Sequence, residues 1–230
     1  MNPQQRPSGW KAIVRVIYEP TKVFQEFEGR VPVFPGYLAQ MVIALVGFAI
    51  ILPATLRNLE VTALANPLYT PQMVTVSKIS GAIGGGMMIL IGPWLAGLMT
   101  SLIALLFGQF QEERVGYGSY LGLLGYARMP LVIGGLVGAI LGVVVGNNLV
   151  LNAAVLAPAG SSVVLTAALA TISPFVVWYY YVLAAGFGAL HKGKATKGLG
   201  LVITLYVINL LFTVGGAMLT TRLMGMLPGM

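Results

Sequence analysis

Apolar residues fill most positions after Tyr37 and are interrupted only by short polar connections. Five runs reach the roughly 20 apolar residues that a helix needs to cross a bilayer: residues 37–56, 79–107, 121–145, 163–190 and 199–219. The second and fourth are longer than a straight crossing requires, which predicts tilt, or a start in the interface at Gly84, Gly85 and Gly86 and near Ser161. Ahead of the first run the period changes. Trp10, Ile13, Val14 and Ile17 recur at i, i+3, i+4 and i+7, with Lys11, Arg15 and Glu19 on the other face, which is the pattern of an amphipathic helix. Pro20 suits the first turn of a second short helix carrying Val23, Phe24 and Phe27, and Pro32 and Pro35 are expected to break it before the membrane. The fold expected is an all-α integral membrane bundle of five transmembrane helices with an N-terminal amphipathic interfacial helix. Residues 1–32 form a cytoplasmic amphipathic segment and residues 33–230 the membrane domain.

Composition agrees with the pattern. The chain is 57% hydrophobic and 8% charged, against about a quarter charged in an average soluble domain, so water is not the solvent for most of it. The net charge of +7 comes from 13 scattered basic residues with no basic helix or aromatic-basic platform, which argues against nucleic acid as a partner. Topology accounts for them instead. With the N-terminus in the cytoplasm, the inside segments hold Arg6, Lys11, Arg15, Lys22, Arg30, Arg114, Lys192, Lys194 and Lys197, and the outside segments hold Arg57, Lys78 and Arg222. That asymmetry places the N-terminus inside and the C-terminus outside. The first thirty residues contain no apolar signal core and no cleavage site, so the first span is expected to direct insertion and stay. Two readings of the amphipathic helix are open: an interfacial docking surface on the cytoplasmic leaflet, or a helix folded against the protein's own loops.

Arg128 stands alone in an uncharged stretch, directly before Met129 and Pro130. An arginine at mid-membrane costs at least ~2.5 kcal/mol on insertion scales, so its depth decides its meaning. Either Pro130 opens the deeply buried part of the third span and Arg128 snorkels to the inner headgroups, or Arg128 forms an interior ion pair, for which Glu112 and Glu113 are the nearest acids in sequence. Beyond the proline, Gly134, Gly138, Gly142 and Gly146 recur every four residues and form a ridge without side chains, on which a neighbouring helix packs closely. That neighbour belongs either to the same chain, the commoner outcome in a bundle, or to a second copy.

Most catalytic templates are empty. All six acids are glutamates, cysteine is absent, and His191 is the single histidine, set beside Lys192 in what reads as a solvated cytoplasmic turn. Zinc therefore finds one candidate ligand, a Ser-His-Asp triad lacks its aspartate, and neither cofactor nor metal is expected. The GAIGGG run at 81–86 lies inside an apolar segment with no strand before it, so it is not a dinucleotide fingerprint. Gly92 with Pro93, and Pro174, are expected to kink the second and fourth helices. The consecutive Trp178, Tyr179, Tyr180 and Tyr181 cover all sides of a helix, as an interfacial belt or packing does.

Three stretches carry a resemblance: VIYEPTKVFQEF before the first span, GYGSYLGLLGYARMP leading into the third, and PFVVWYYYVLAAGFGALHKGKATKG through the fourth and the turn after it. In their order and spacing the chain resembles the Yip domain family, the Ypt/Rab-interacting multi-pass membrane proteins, which have prokaryotic relatives. The resemblance implies five spans, a cytoplasmic N-terminus and a short C-terminus across the membrane, and it sets Tyr120, Tyr126 and Pro130 on the family's tyrosine and proline positions. The Asp-Leu-Tyr-Gly-Pro element of eukaryotic members has no counterpart in a chain without aspartate. Binding to a Rab-type GTPase is therefore not carried over, and a prokaryotic plasma membrane is the expected home. The function expected is that of a non-enzymatic organiser or adaptor, with membrane lipids, another membrane protein or further copies of itself as partners. Partners would meet the N-terminal helix and the inside loops around Glu112, Arg114 and Lys192. The alternative is a transporter or lipid-moving protein that uses the kinked second and fourth helices and the glycine-lined third.

Overall fold

The computed structural model describes residues 8–64, 69–145 and 151–225. All regular structure among them is helical: α1 (Gly9–Tyr18), α2 (Pro20–Glu26), α3 (Val33–Leu64), α4 (Pro71–Gly108), α5 (Tyr117–Ala127), α6 (Met129–Val145), α7 (Val163–Ala170), α8 (Pro174–Leu190) and α9 (Leu199–Gly225). Short 3-10 turns lie at Ala153–Leu156 and Ala195–Gly198. Four segments, Val33–Ala63, Pro71–Gly108, Tyr117–Val145 and Ala195–Leu223, are each long and apolar enough to cross a membrane, and α7 with α8 makes a fifth candidate bent by 52°. The protein is a multi-pass, all-α membrane bundle.

The local chemistry of the N-terminal helices is simple. The Ser8 side chain accepts from the Lys11 N–H and caps α1, and Pro20, whose missing N–H costs nothing in a first turn, opens α2. Arg15 reaches across to Glu26 through both terminal guanidinium nitrogens at 2.7 Å and to Glu19 at 3.5 Å, which clamps α1 on α2. Glu28 and Gly29, with φ of 48° and 79°, then reverse the chain. Pro35 does not break a helix as expected; it sits in the first turn of α3, where no intrahelical donor is lost. Pro174 does more than kink the fourth span. The Ser173 hydroxyl accepts from the Val176 N–H and caps a new helix, so α7 and α8 are separate elements.

Helices α1 and α2 mark one end of the bundle, called the base below, and the core is concentrated there. Phe24, Leu123, Leu124, Tyr126, Leu183 and Phe187 are fully buried in one cluster contributed by α2, α5 and α8. Away from the base the helices turn apolar side chains outward; on α4 alone Ile83, Met87, Met88, Leu95 and Met99 are exposed. An apolar outer face of that extent is matched to hydrocarbon. On α1 the bundle takes only part of the apolar stripe read from the sequence. Ala12 and Val16 are the fully buried residues, Ile13 and Ile17 pack partly against the core, and Trp10 and Val14 are exposed. A small alanine, weak in a hydrophobic count, sits closest to the bundle because it allows the backbone near. The Tyr126 hydroxyl donates to the Gly9 carbonyl at 3.1 Å and the Trp178 indole to that of Ile17 at 3.0 Å, so both ends of α1 are tied to the spans.

Candidate functional site

Three connections meet at the base: α2 to α3, α4 to α5, and α8 to α9. They wall a cavity of about 930 Å³ lined in part by Glu28, Arg30, Glu113, Arg114, Ser119 and Lys192. Local geometry explains how Lys192 comes to face it. Helix α8 ends with the Lys192 N–H bonded to the Ala189 carbonyl and the Gly193 N–H to that of Gly188, a Schellman stop whose left-handed position is held by Lys192 at φ 50°. The returning chain then crosses Gly188, where a Cβ would lie 2.2 Å from the Lys194 carbonyl oxygen. Lys192 consequently meets Glu113, Nζ to Oε1 at 2.6 Å, and this hydrogen bond holds the Glu113 carboxyl below the usual range. On the opposite wall the Ser119 hydroxyl donates to the Gly29 carbonyl.

His191 is not the solvated histidine expected. It is 1% exposed, because the Schellman stop turns its ring inward against Phe187 and Tyr120. Nδ1 lies 2.8 Å from the Glu113 backbone carbonyl, which only accepts, so Nδ1 carries the proton; Nε2, 3.0 Å from the Tyr120 hydroxyl, is therefore the acceptor. The α4–α5 connection is thus pinned twice through Glu113, by its carbonyl and by its carboxylate.

Burial holds the His191 pKa below its ordinary 6.5. A base whose folded pKa is depressed binds fewer protons in the folded state, so its contribution is complete above about 6.5 and is lost as pH falls below that value. The carboxylates of Glu19, Glu26 and Glu113, all held low by cationic neighbours, lose their contribution only below 4.5. Unfolding in detergent micelles should accordingly show a first loss of stability beginning near pH 6.5 that His191→Phe flattens, with the carboxylate loss unchanged at lower pH. Tyr120→Phe, which leaves buried Nε2 without a donor, should cost about 1–3 kcal/mol at neutral pH.

Arg128 occupies the joint between α5 and α6, and its Nη1 donates to the Pro93 carbonyl of α4 at 3.2 Å. No ion pair among the described residues joins it to Glu112 or Glu113: Glu113 is taken by Lys192, and Glu112 is exposed on the α4–α5 connection. Pro130 is the second residue of α6 and is buried. Tyr120 and Tyr126 are fully buried on α5, the first bonded to His191 and the second to α1. Of the glycine ridge, Gly134 lies under Phe175 of α8, where a Cβ would meet Cγ at 2.4 Å. Gly142 is buried, Gly138 borders a second cavity, and Gly146 lies outside the described residues.

The Yip1 domain model matches residues 14–217, which takes in all three stretches quoted above and nearly the whole bundle. The chain belongs to the Yip1 domain family. No curated protein matches it. No solved structure matches it either.

Within this Yip1 domain the second cavity, about 710 Å³, lies between α3, α6 and α8 and is lined by Gly47, Phe48, Gly134, Gly135, Gly138 and Phe175 among others. Sequence reasoning missed the pairing of His191 with Tyr120 and of Lys192 with Glu113. Both join residues more than seventy positions apart, and the only signal was that Glu113 and Lys192 stand at the ends of adjacent connections.

Proposed function

We propose that this Yip1-family protein is a non-enzymatic membrane organiser or adaptor in a prokaryotic plasma membrane, with the base and N-terminus in the cytoplasm and the C-terminus outside. The observation that carries this reading is the basal cavity. It is walled by charged side chains from three separate connections, braced by Ser119 on one side and by the Lys192 and Glu113 pair on the other. A surface held rigid by interlocking loops and offering both signs of charge suits recognition of a protein partner. Support for a non-enzymatic role comes from His191, whose two ring nitrogens are both engaged, so it offers no free base. The excess of inside Lys and Arg supports the orientation.

A photo-crosslinking residue in place of Arg114, activated in native membranes, should capture one defined protein, and Lys192→Glu should abolish that capture. Capture that survives Lys192→Glu, or none at all, would contradict the adaptor reading. The break between α7 and α8 beside a glycine-lined apolar cavity favours a second reading, movement of a lipid or small apolar molecule. Flux in reconstituted vesicles that Gly138→Leu abolishes without loss of folding would support it.

A further inference from the structure

Every tryptophan of the chain lies in one layer of the bundle, and Arg128 lies in it too. Trp94 follows Pro93, whose carbonyl Arg128 reaches, and stacks on Tyr37 with centroids 4.3 Å apart. Trp178 precedes Tyr179, whose hydroxyl is directed at Arg128, and Trp10 follows Gly9, which is bonded to Tyr126 two residues before Arg128. Tryptophan and tyrosine gather at the depth of lipid headgroups, so this layer marks the edge of the hydrocarbon on the side of the base.

Among the described residues no ion pair joins Arg128 to a carboxylate in that layer. Four of the six glutamates pair elsewhere: Glu19 and Glu26 meet Arg15, Glu60 meets Lys78 at the far end of α3, and Glu113 meets Lys192, while Glu28 and Glu112 stand on the basal connections. Of the five N–H donors of a guanidinium, one meets the Pro93 carbonyl and another is directed at the Tyr179 hydroxyl, which leaves the rest unmet. A second donor nearby is also unmet. The Tyr37 hydroxyl is the one buried side-chain polar atom among the described residues without a hydrogen-bond partner. It presses on Gly97, one turn along α4 from Pro93. A partly buried cation with donors to spare, beside an orphaned hydroxyl and at headgroup depth, matches a phosphate group.

We propose that Arg128 holds the phosphate of an anionic membrane lipid in the leaflet nearest the base, with the Tyr37 hydroxyl as a second donor. The site is separate from the basal cavity and does not depend on what docks there. It gives a reason for a charged side chain at the α5–α6 joint: the lipid supplies the neutralising charge that no ion pair among the described residues provides.

The test is native mass spectrometry of the full chain in detergent, titrated with phosphatidylglycerol, with phosphatidylcholine and with inorganic phosphate. Wild-type protein should bind the first phosphatidylglycerol at least about tenfold more tightly than phosphatidylcholine, and millimolar inorganic phosphate should not displace it. Arg128→Gln should weaken phosphatidylglycerol binding roughly ten- to hundredfold and Tyr37→Phe roughly two- to tenfold, whereas Arg57→Gln, which removes the same charge at the opposite end, should leave it unchanged. If Arg128→Gln does not fold, Arg128→Lys serves, and the loss of the bidentate fork should still lower affinity several-fold. Equal binding of the two lipids, binding unaffected by the Arg128 substitutions, or saturation by inorganic phosphate alone would each overturn the proposal.

Discussion

Phe24→Ala is expected to destabilise the protein by about 3–5 kcal/mol, the range for removing a fully buried phenylalanine. Phe24 is 0% exposed, and its ring lies on the flat spot that Gly186 makes on α8, where a Cβ would come within 2.6 Å of the ring. It also meets Phe27 and Tyr126 edge-on, each with centroids 6.4 Å apart. Helix α2 has seven residues, far too few to hold itself together without tertiary contacts. Losing the ring should therefore release α1 and α2 from the base as well as lower the unfolding midpoint. Unfolding in micelles with limited proteolysis between Tyr18 and Gly29 reads both effects. Phe110, 86% exposed at the end of α4, supplies the comparison, and Phe110→Ala should change stability by less than about 0.5 kcal/mol.

Gly36→Ala should be nearly as damaging. A Cβ there would lie 2.7 Å from the Gly125 carbonyl carbon, 2.9 Å from its oxygen and 3.0 Å from the Tyr126 nitrogen. All three are backbone atoms, so no rotamer change relieves the clash, and α3 must move off α5. Overpacking of this kind costs typically 1–3 kcal/mol, and the rigid contact puts Gly36 at the upper end, about 3 kcal/mol. The Gln40 side-chain amide, which donates to the Gly125 carbonyl at 2.7 Å, would be displaced in the same step. Gly84→Ala makes the opposite case. Nothing lies within 4 Å of a Cβ there, so alanine should be neutral or stabilise by up to about 1 kcal/mol through helix propensity. Parallel unfolding of the two variants separates a contact glycine from an incidental one.

That contrast also shows what the sequence could reveal. The apolar runs, the helical period of α1 and the role of Pro20 were legible because each depends on neighbours within a few residues. The ends of α3 and α4 were not, since nothing in an apolar run marks where helix continues past the hydrocarbon. Nothing in the sequence singles out Gly36, whereas the run Gly84, Gly85 and Gly86 is conspicuous; closeness of backbones is decided by a helix far away in sequence. The burial of His191 is hidden for the same reason, because the turn beside Lys192 looks solvated until Tyr120 and Phe187 close over the ring. For Arg128 the sequence leaves open a snorkelling side chain or an interior ion pair, and the structure sets it on the Pro93 carbonyl, a contact that no residue type announces. At Pro174 the Ser173 cap that starts a new helix looks the same in sequence as a Ser-Pro step that only kinks one.

The absence of cysteine makes the crossing pattern directly measurable. Single cysteines replacing Ser77, near the start of α4, and Thr196, in the 3-10 turn before α9, should react with a membrane-impermeant maleimide from opposite sides, Ser77→Cys in intact cells and Thr196→Cys only after permeabilisation. Labelling of both positions from the same side would contradict the five-crossing bundle and the basal surface built on it.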